Sequence, residues 1–342
     1  MLDTLDHVPA GLLETGARGL ASVLRGPTLL HLPGRRTEPL FVSVLLHGNE
    51  DTGLGAIQTV LRAHAGRTLP RALSIFFGNV TAARAGLRRL ADQPDYNRVW
   101  PGAEDDGTPE HAMAREVAAE MTRRRVFAAI DVHNNTGLNP HYACVNRLDE
   151  AFLHLATLFS RIVVQFTRPL GTLSEAFAPH CPSVAIECGK PGNPASEAAA
   201  ADFVTAALHL DHLPTHPVAA HDIDLYHTVG VVRVPDAVSF GFGREDVALS
   251  LEPDLDRFNF RELPVGTRLA RVAGIARVPL EVVDESGAAV ADRYFATADG
   301  ELRTRRPLMP AMLTMDKRVI RQDCLCYLME RLARGTSASS GA

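Results

Sequence analysis

The sequence of 342 residues has little of what marks several common classes of protein. Positive charge is not in excess: the formal net charge is −5, which argues against nucleic acid as the main partner. Lysine is nearly absent, with only Lys190 and Lys317, so arginine supplies almost all the cations and one arginine is weak evidence of a special role. No apolar run approaches the roughly 20 residues needed to span a bilayer, so no membrane partner is expected.

Paired cysteines are missing as well. The five cysteines are an odd number, and none forms the two-residue-spaced pair of a zinc ribbon or redox motif, so we expect reduced thiols. The first ten residues lack the basic start and apolar core of a signal peptide. These absences predict a cytoplasmic protein.

The pattern along the chain predicts two domains, as expected for a length above the roughly 100–200 residues of a usual single domain. Apolar strand patterns alternate with helical patterns up to residue 210, after an amphipathic helix expected over residues 5–24. This alternation predicts an α/β domain with a mostly parallel sheet over residues 1–212. Beyond a linker-like segment, short β-patterned pieces predict a smaller β-rich domain over residues 213–342.

Three predicted strands of the first domain end on a side chain that can bind a metal or a proton: His47, His133 and Glu187. In open α/β sheets, ligands bind beyond the carboxyl ends of the strands, so these side chains would converge if the strands were parallel neighbours. The first strand, over Leu40–Leu46, is followed by an expected helix start. Glu50 lies there, three positions after His47, and would share a helical face with it.

Two histidines and one glutamate match the three protein ligands of a catalytic zinc, with the fourth position left to water or substrate. His47, Glu50 and His133 are the candidates. Zinc at such a site polarises a carbonyl and lowers the pKa of its bound water towards roughly 7, and a second carboxylate must then accept the proton. Glu187 is the candidate for that transfer. Asp131, two residues before His133, is expected on the opposite face of the strand, in a supporting role.

Each of these residues also has an ordinary structural interpretation. Glu50 could be an acidic residue favoured by the dipole at a helix start. A lone histidine at a strand end is commonly just hydrogen-bonded, and Glu187 could pair with Lys190. His141 and His180 lie nearest in sequence to the proposed site among the other histidines, and ligation by either stays open.

A second polar group lies in the loop Asp95–Gly102. The adjacent Asn97 and Arg98 could bind a carboxylate through an amide hydrogen bond and a charge-assisted guanidinium fork. The alternative is a surface arginine in a chain rich in arginine, and the local sequence favours that alternative.

Four short motifs, in this order, resemble the succinylglutamate desuccinylase/aspartoacylase family, a branch of the zinc carboxypeptidases. The motifs are His47-Gly48-Asn49-Glu50, Asn97-Arg98 with Pro101-Gly102, Asp131-Val132-His133 and Glu187-Cys188-Gly189-Lys190. The resemblance implies a carboxypeptidase-like mixed sheet, mostly parallel and flanked by helices. It also implies a smaller β-rich C-terminal domain that can restrict the active-site entrance.

The resemblance further implies a zinc-dependent hydrolase that cleaves the amide bond of a small N-acyl amino acid, with N-succinylglutamate as the first substrate to test. The three candidate ligands would bind one Zn²⁺ per chain, and Glu187 would act as general base and acid. Asn97 and Arg98 would hold the substrate's carboxylate. The family's usual Arg-Tyr pair before the Asn-Arg is missing, since the segment reads Leu87-Arg88-Arg89-Leu90, and Arg89 would replace that arginine after a one-residue shift.

Two other functions stay open. One is a metallocarboxypeptidase that acts on peptides, and the other is a non-catalytic metal- or ligand-binding relative. The presence of every expected ligand together with Glu187 argues against the second. The sequence also leaves a homo-oligomer open.

Overall fold

The computed structural model describes residues 2–243, 246–274 and 277–333, which form two compact units. The first unit contains residues 2–134 and 141–225, and the second contains residues 135–140 and the described residues from 226 onward. The domain boundary expected after residue 212 stays a prediction. Residues 334–342 of the expected second domain lie outside the described residues.

An eight-stranded sheet forms the centre of the first unit, in the order β1-β2-β4-β3-β5-β8-β6-β7. Its strands are β1 (Asp3–Leu5), β2 (Thr28–Leu32), β3 (Gly34–Val44), β4 (Leu69–Phe77), β5 (Ala128–His133), β6 (Tyr142–Val145), β7 (Ile162–Gln165) and β8 (Ser183–Glu187). Five of the seven neighbouring pairs are parallel; β2 with β4 and β6 with β8 are antiparallel. The predicted α/β class with a mixed, mostly parallel sheet is confirmed.

Helices cover both faces of this sheet. They are α1 (Thr52–Ala63), α2 (Val80–Ala85), α3 (Pro109–Arg123), α4 (Glu150–Thr157), α5 (Leu173–Phe177) and α6 (Pro194–His209). Gly53 of α1 packs against Val44 and Val132, so α1 lies on the face to which these residues point. Phe41, three positions before Val44, points to the other face and belongs to a buried cluster with Val117 of α3.

The helix expected over residues 5–24 is wrong. The structure has β1, a loop and a short 3-10 helix over Ala17–Ser22 in its place. Gly11 adopts φ +84°, in the left-handed region, which interrupts a right-handed helix. The loop is held instead by α1, whose Gln58 amide donates hydrogen bonds to the carbonyls of Leu12 and Thr15, 2.8 Å each. Within residues 5–24 only Leu12, Leu20 and Leu24 are buried, so the apolar spacing did not reflect a continuous helical face.

The second unit is rich in β-strands, as predicted. It contains β9 (Asp224–Arg233), β10 (Phe240–Phe242), β11 (Leu249–Leu251), β12 (Arg268–Val272), β13 (Glu281–Val283), β14 (Phe295–Ala298), β15 (Glu301–Thr304), β16 (Met309–Ala311) and β17 (Cys326–Arg331), with two short helices, α7 (Ala291–Tyr294) and α8 (Lys317–Gln322), and a 3-10 helix over Leu255–Phe258. A five-stranded sheet has the order β10-β11-β12-β15-β14. The strands β13, β9, β17 and β16 pair in that order, all antiparallel.

The sequence predicted no membrane-spanning segment and no paired cysteines, and the described residues bear on both expectations. None of the helices over 2–243, 246–274 and 277–333 is long and apolar enough to cross a membrane. All five cysteines are free thiols, four of them buried and Cys144 partly exposed. Burial raises the pKa of the Cys181 thiol to about 12.

Candidate active site

A turn at the end of β3 places the first two candidate ligands. The strand ends at Val44, and Leu45 adopts φ 58°, in the left-handed region that is uncommon for a residue with a branched side chain. The loop after β4 fixes this conformation, because Gly78 N donates to Val44 O (3.0 Å) and Asn79 N donates to Leu45 O (2.6 Å). The strained bend redirects the chain out of the sheet directly before His47.

His47 and Glu50 are brought together by this turn and not by a helix. Glu50 N donates to His47 O at 3.1 Å, and α1 begins only at Thr52. The expectation that Glu50 lies in the first helical turn is therefore wrong, although the two side chains do meet. The interpretation of Glu50 as a helix-start residue loses its support for the same reason.

Gly48 allows the turn to pack closely on α2. A Cβ added at Gly48 would overlap the backbone of Ala82 and Ala83, so only glycine fits without movement. The Gly48 N–H also donates to Arg88 O at 3.1 Å, which ties the turn to the chain after α2. The glycine between the two candidate ligands is thus required by the packing of the site.

Substitution of Gly48 by alanine is expected to destabilise the protein by about 3 kcal/mol, because the turn or α2 must shift to accept a methyl group. Urea denaturation of the purified variant would measure this loss. Gly16→Ala is the matched control, since φ at Gly16 is −72° and nothing lies within 4 Å of an added Cβ. Equal stability of the Gly48→Ala protein and the wild type would contradict the close packing.

The third candidate ligand and Glu187 lie side by side on neighbouring parallel strands. Strand β5 ends at His133 and β8 ends at Glu187, and these two residues are register partners. Register partners on parallel strands point to the same face, so both side chains extend from the carboxyl edge of the sheet in the same direction. The hydrogen bond from Cys188 N to His133 O (2.9 Å) continues the pairing past the strand ends. The predicted convergence of the strand ends is observed.

The side chains of His47, Glu50 and His133 form one buried cluster. His47 Nδ1 lies 2.7 Å from Glu50 Oε1, and His133 Nδ1 lies 2.9 Å from Glu50 Oε2. One ligand atom from each of the three side chains lies within 4.8 Å of the others, and none of the three residues is more than 5% exposed. Glu50 Oε2 also accepts a hydrogen bond from Asn134 N at 3.1 Å.

A second carboxylate holds the outer nitrogen of each imidazole. His47 Nε2 lies 3.0 Å from Asp95 Oδ1, and His133 Nε2 lies 2.6 Å from Asp131 Oδ2. Histidines that bind metals commonly donate their other ring N–H to a carboxylate in this way. The expected face of Asp131 is wrong, because residues two apart on a strand share a face. Its expected supporting role agrees with its contact to His133.

The chemistry of this donor set fits a metal cation. Each imidazole stands between two carboxylates. A neutral imidazole has one N–H and satisfies only one of them, so the other needs either a second proton on the ring or a cation. With the N–H of His47 and His133 directed to Asp95 and Asp131, both Nδ1 lone pairs face the Glu50 carboxylate. A cation between these acceptors satisfies all of them, and two His nitrogens with one carboxylate suit zinc.

The charges of the cluster are strongly coupled. Burial by itself would raise the pKa of Glu50, but His47 and His133 hold it far below its usual range. Burial would likewise lower the pKa of His133, yet Asp131 and Glu50 keep it well above its usual value. Glu50 is therefore ionised in the folded protein, as a metal ligand must be.

Two residues that we had not assigned to the site complete it. Arg88 donates to Asp95 Oδ2 from Nε (3.2 Å) and Nη2 (3.0 Å), and its Nη1 lies 3.7 Å from Glu50 Oε1. Asp95 thus links a partly buried arginine to His47. The sequence signal for Asp95 was its position two residues before Asn97. Its contact with His47 could not be predicted, because the two residues are 48 positions apart and no local pattern joins them.

The three residues expected to bind the substrate make different contacts. Asn97 lies against His133, with Nδ2 3.2 Å from Nε2, while its Oδ1 accepts a hydrogen bond from Leu173 N at 3.0 Å. Arg98 is half-buried, and its Nη1 donates to Asn97 O at 2.7 Å. Arg89 donates to Gln93 O at 2.7 Å, so the arginine beside the cluster is Arg88. Substrate contacts by all three residues stay predictions.

The two additional histidines have other contacts. His141 Nε2 lies 3.0 Å from Ser196 Oγ, and its ring stacks on Phe159. His180 is exposed. Neither belongs to the cluster of possible metal ligands found among the described residues. The histidines in that cluster are therefore His47 and His133.

The chain matches the model of a known protein family and resembles several solved structures. The model of the succinylglutamate desuccinylase/aspartoacylase catalytic domain matches residues 37–212. No protein of curated function matches the chain in sequence.

Solved structures share the fold at low identity. The succinylglutamate desuccinylase from Chromobacterium violaceum is 19% identical with a TM-score of 0.56, over 87% of this chain and 86% of that one. Murine aminoacylase 3 is 16% identical with a TM-score of 0.56, over 87% and 96% of the two chains. The product-bound ectoine utilization protein EutE (DoeB) from Ruegeria pomeroyi is 19% identical with a TM-score of 0.57, over 89% and 88%.

Proposed function

This chain belongs to the succinylglutamate desuccinylase/aspartoacylase family, and from that premise we propose that it is a zinc-dependent amidohydrolase of small N-acyl amino acids. The observation that carries the proposal is the buried cluster of His47, Glu50 and His133 with Glu187 beside it on the next strand. Three ligands plus a separate carboxylate are the components that metal-assisted amide hydrolysis requires.

The metal would be held by His47 Nδ1, His133 Nδ1 and the Glu50 carboxylate, one Zn²⁺ per chain. When bound, zinc polarises the acyl carbonyl and lowers the pKa of water at the site. Asp95 and Asp131 orient the two imidazoles and keep their Nδ1 atoms directed to the ion.

Glu187 is the proposed proton carrier. Its carboxylate takes a proton from the attacking water, whose oxygen forms a bond to the acyl carbon. It returns that proton to the leaving nitrogen as the amide C–N bond breaks, so a carboxylate and a free amino acid are released. Its place beside His133 supports the role, since the base must lie within reach of the water.

The loop with Asn97 and Arg98 is proposed to hold the substrate's carboxylate, with Arg89 as a further candidate. Arg98 is suited to this task because a guanidinium binds a carboxylate by two parallel hydrogen bonds. The loop is fixed through Trp100 N, which donates to Gly171 O at 3.1 Å, and through the Leu173 bond to Asn97. The free, largely buried thiols support a reducing compartment, and we place the activity in the cytoplasm.

Replacement of Asp131 by asparagine is expected to weaken zinc binding by about 10–100-fold, because His133 loses the carboxylate that fixes its ring. Competition with a chelating dye would measure the dissociation constant. Asp105→Asn, at an exposed position in the loop before α3, is the control and should bind zinc as the wild type does. Unchanged zinc affinity in the Asp131→Asn protein would remove the supporting role.

The function itself is tested by metal analysis together with an amine-release assay on a panel of N-acyl amino acids. N-succinylglutamate and N-acetylaspartate should be included, with short peptides as a separate set. Stoichiometric zinc and release of amine from N-acyl amino acids would support the proposal. Activity confined to the peptides would favour a metallocarboxypeptidase, and zinc without any turnover would favour a binding protein.

A further inference from the structure

A basic cleft lies at the end of the first unit's sheet that is opposite to the candidate active site. It has a volume of about 580 Å³ and forms where β3 and β4 begin and where α1 and α6 end. Arg36 in this cleft precedes Val44, the last residue of β3, by eight positions, which corresponds to roughly 26 Å of extended chain. The cleft is therefore a separate place in the fold.

The lining of the cleft is cationic and contains no carboxylate. It includes three arginines, two histidines and a threonine: Arg35, Arg36, Arg67, His64, His209 and Thr68. Arg36 forms an ion pair with Asp211, but the side chains of Arg35 and Arg67 have no ion-pair or hydrogen-bond partner among the described residues. Arg35 and Arg67 are both exposed, so their guanidinium groups are open to a ligand.

The two histidines present defined nitrogens. His64 Nδ1 donates to Val60 O and His209 Nδ1 donates to Thr205 O, each at 2.9 Å within its own helix. Since a carbonyl only accepts, both protons lie on Nδ1 and both Nε2 atoms are left for other partners. The two rings lie 6.3 Å apart, between centroids.

The walls of the cleft are held in place by Arg71, which is 2% exposed. Its guanidinium donates to Glu38 O (2.8 Å) after the start of β3 and to Leu210 O (3.0 Å) at the end of α6, and it stacks on Phe127 at 3.6 Å. This arginine joins both sides of the cleft, so the arrangement exists before any ligand binds.

The helix ends do not explain the whole cluster. His64 and His209 lie at the carboxyl ends of α1 and α6, and their contacts to helix carbonyls account for their positions. Arg35 comes from the start of β3 and Arg67 from the loop before β4, and neither belongs to a helix. Their convergence with Arg36 at one cleft favours an anionic ligand.

We propose that this cleft binds a small molecule that carries a phosphate group. Arginine forks match phosphate oxygens by paired hydrogen bonds, and several guanidinium groups suit a ligand with two or more negative charges. The volume is in the range of small-molecule sites, roughly 300–1,000 Å³, and exceeds the need of a single phosphate ion. The ligand class is therefore a phosphorylated organic molecule such as a nucleotide.

Isothermal titration calorimetry with ADP, AMP, inorganic phosphate, adenosine and succinate on the full-length, zinc-loaded protein tests the proposal at about 0.15 M salt. We expect saturable binding of ADP, weaker binding of AMP and none of adenosine. The double variant Arg35→Gln/Arg67→Gln should raise the ADP dissociation constant at least about tenfold, since each lost charge-assisted hydrogen bond contributes on that scale.

The matched control is Arg115→Gln/Arg123→Gln, which removes the same charge from exposed positions on α3. It should bind ADP as the wild type does. Inorganic phosphate that binds as tightly as ADP would identify free phosphate as the source of the same chemistry. The proposal is overturned if no phosphate compound binds saturably, if the control weakens binding equally, or if succinate binds as tightly as ADP.

Discussion

The Glu187→Gln protein is expected to keep one zinc ion per chain and to hydrolyse its best substrate about 10²–10⁴-fold more slowly than the wild type. Glutamine has the shape of glutamate but cannot accept the proton of the attacking water. Glu187 lies next to His133 on a neighbouring strand and is not one of the three clustered ligands, so the metal site should survive. The change should therefore appear in kcat from amine release and not in the zinc content.

Glu116→Gln provides the matched control for that experiment. Glu116 lies exposed on α3, away from the sheet's carboxyl edge, and its variant should have the kcat and the zinc content of the wild type. Retained turnover in the Glu187→Gln protein would refute its role as the proton carrier. Loss of zinc in that variant would instead assign Glu187 to the ligand set.

The second large effect is expected from His133→Ala. This change removes one of the three ligand side chains, so zinc affinity should fall by more than the about 10–100-fold loss that supporting residues cause. Hydrolysis should be lost at zinc concentrations that saturate the wild type. Zinc should also no longer raise the unfolding temperature, because a ligand does not stabilise the native state at concentrations well below its dissociation constant.

Thermal unfolding with and without zinc separates loss of the metal from loss of the fold. A folded His133→Ala protein that has lost the zinc-dependent shift supports the assignment. His180→Ala is the matched control, since His180 is exposed and should leave both affinity and shift unchanged. A wild-type shift in the His133→Ala protein would show that the cluster is not the metal site.

The convergence of His47, Glu50 and His133 could be predicted because it depends on two regular features. Apolar runs mark buried strands, and the carboxyl ends of neighbouring parallel strands meet at one edge of a sheet. The ends of β5 and β8 could therefore be placed from local sequence, whereas β3 ends at Val44 and not at the expected Leu46. The parallel pairing of β3 with β5 and of β5 with β8 brought the side chains together.

What could not be predicted depends on contacts between distant segments. The pairing of Asp95 with His47 and the approach of Arg88 require a loop to fold back over the sheet edge, and neither has a periodic signal. The N-terminal segment around Leu12 has apolar residues spaced like those of a helix, but only Leu12, Leu20 and Leu24 among residues 5–24 are buried. The face of Asp131 does follow from the sequence, because residues two apart on a strand point to the same face and Asp131 lies against His133.

The turn that holds His47 and Glu50 has a consequence for the order of events during synthesis. These two residues leave the ribosome as a pair, but His133 follows 83 positions after Glu50, and its strand must add to β3 before the third ligand is in place. With zinc as the proposed ion, the nascent chain would offer only two of the three ligands while the sheet is still growing. Tight binding would then coincide with the docking of β5, and uptake of the ion would be a late step that depends on a correctly assembled sheet.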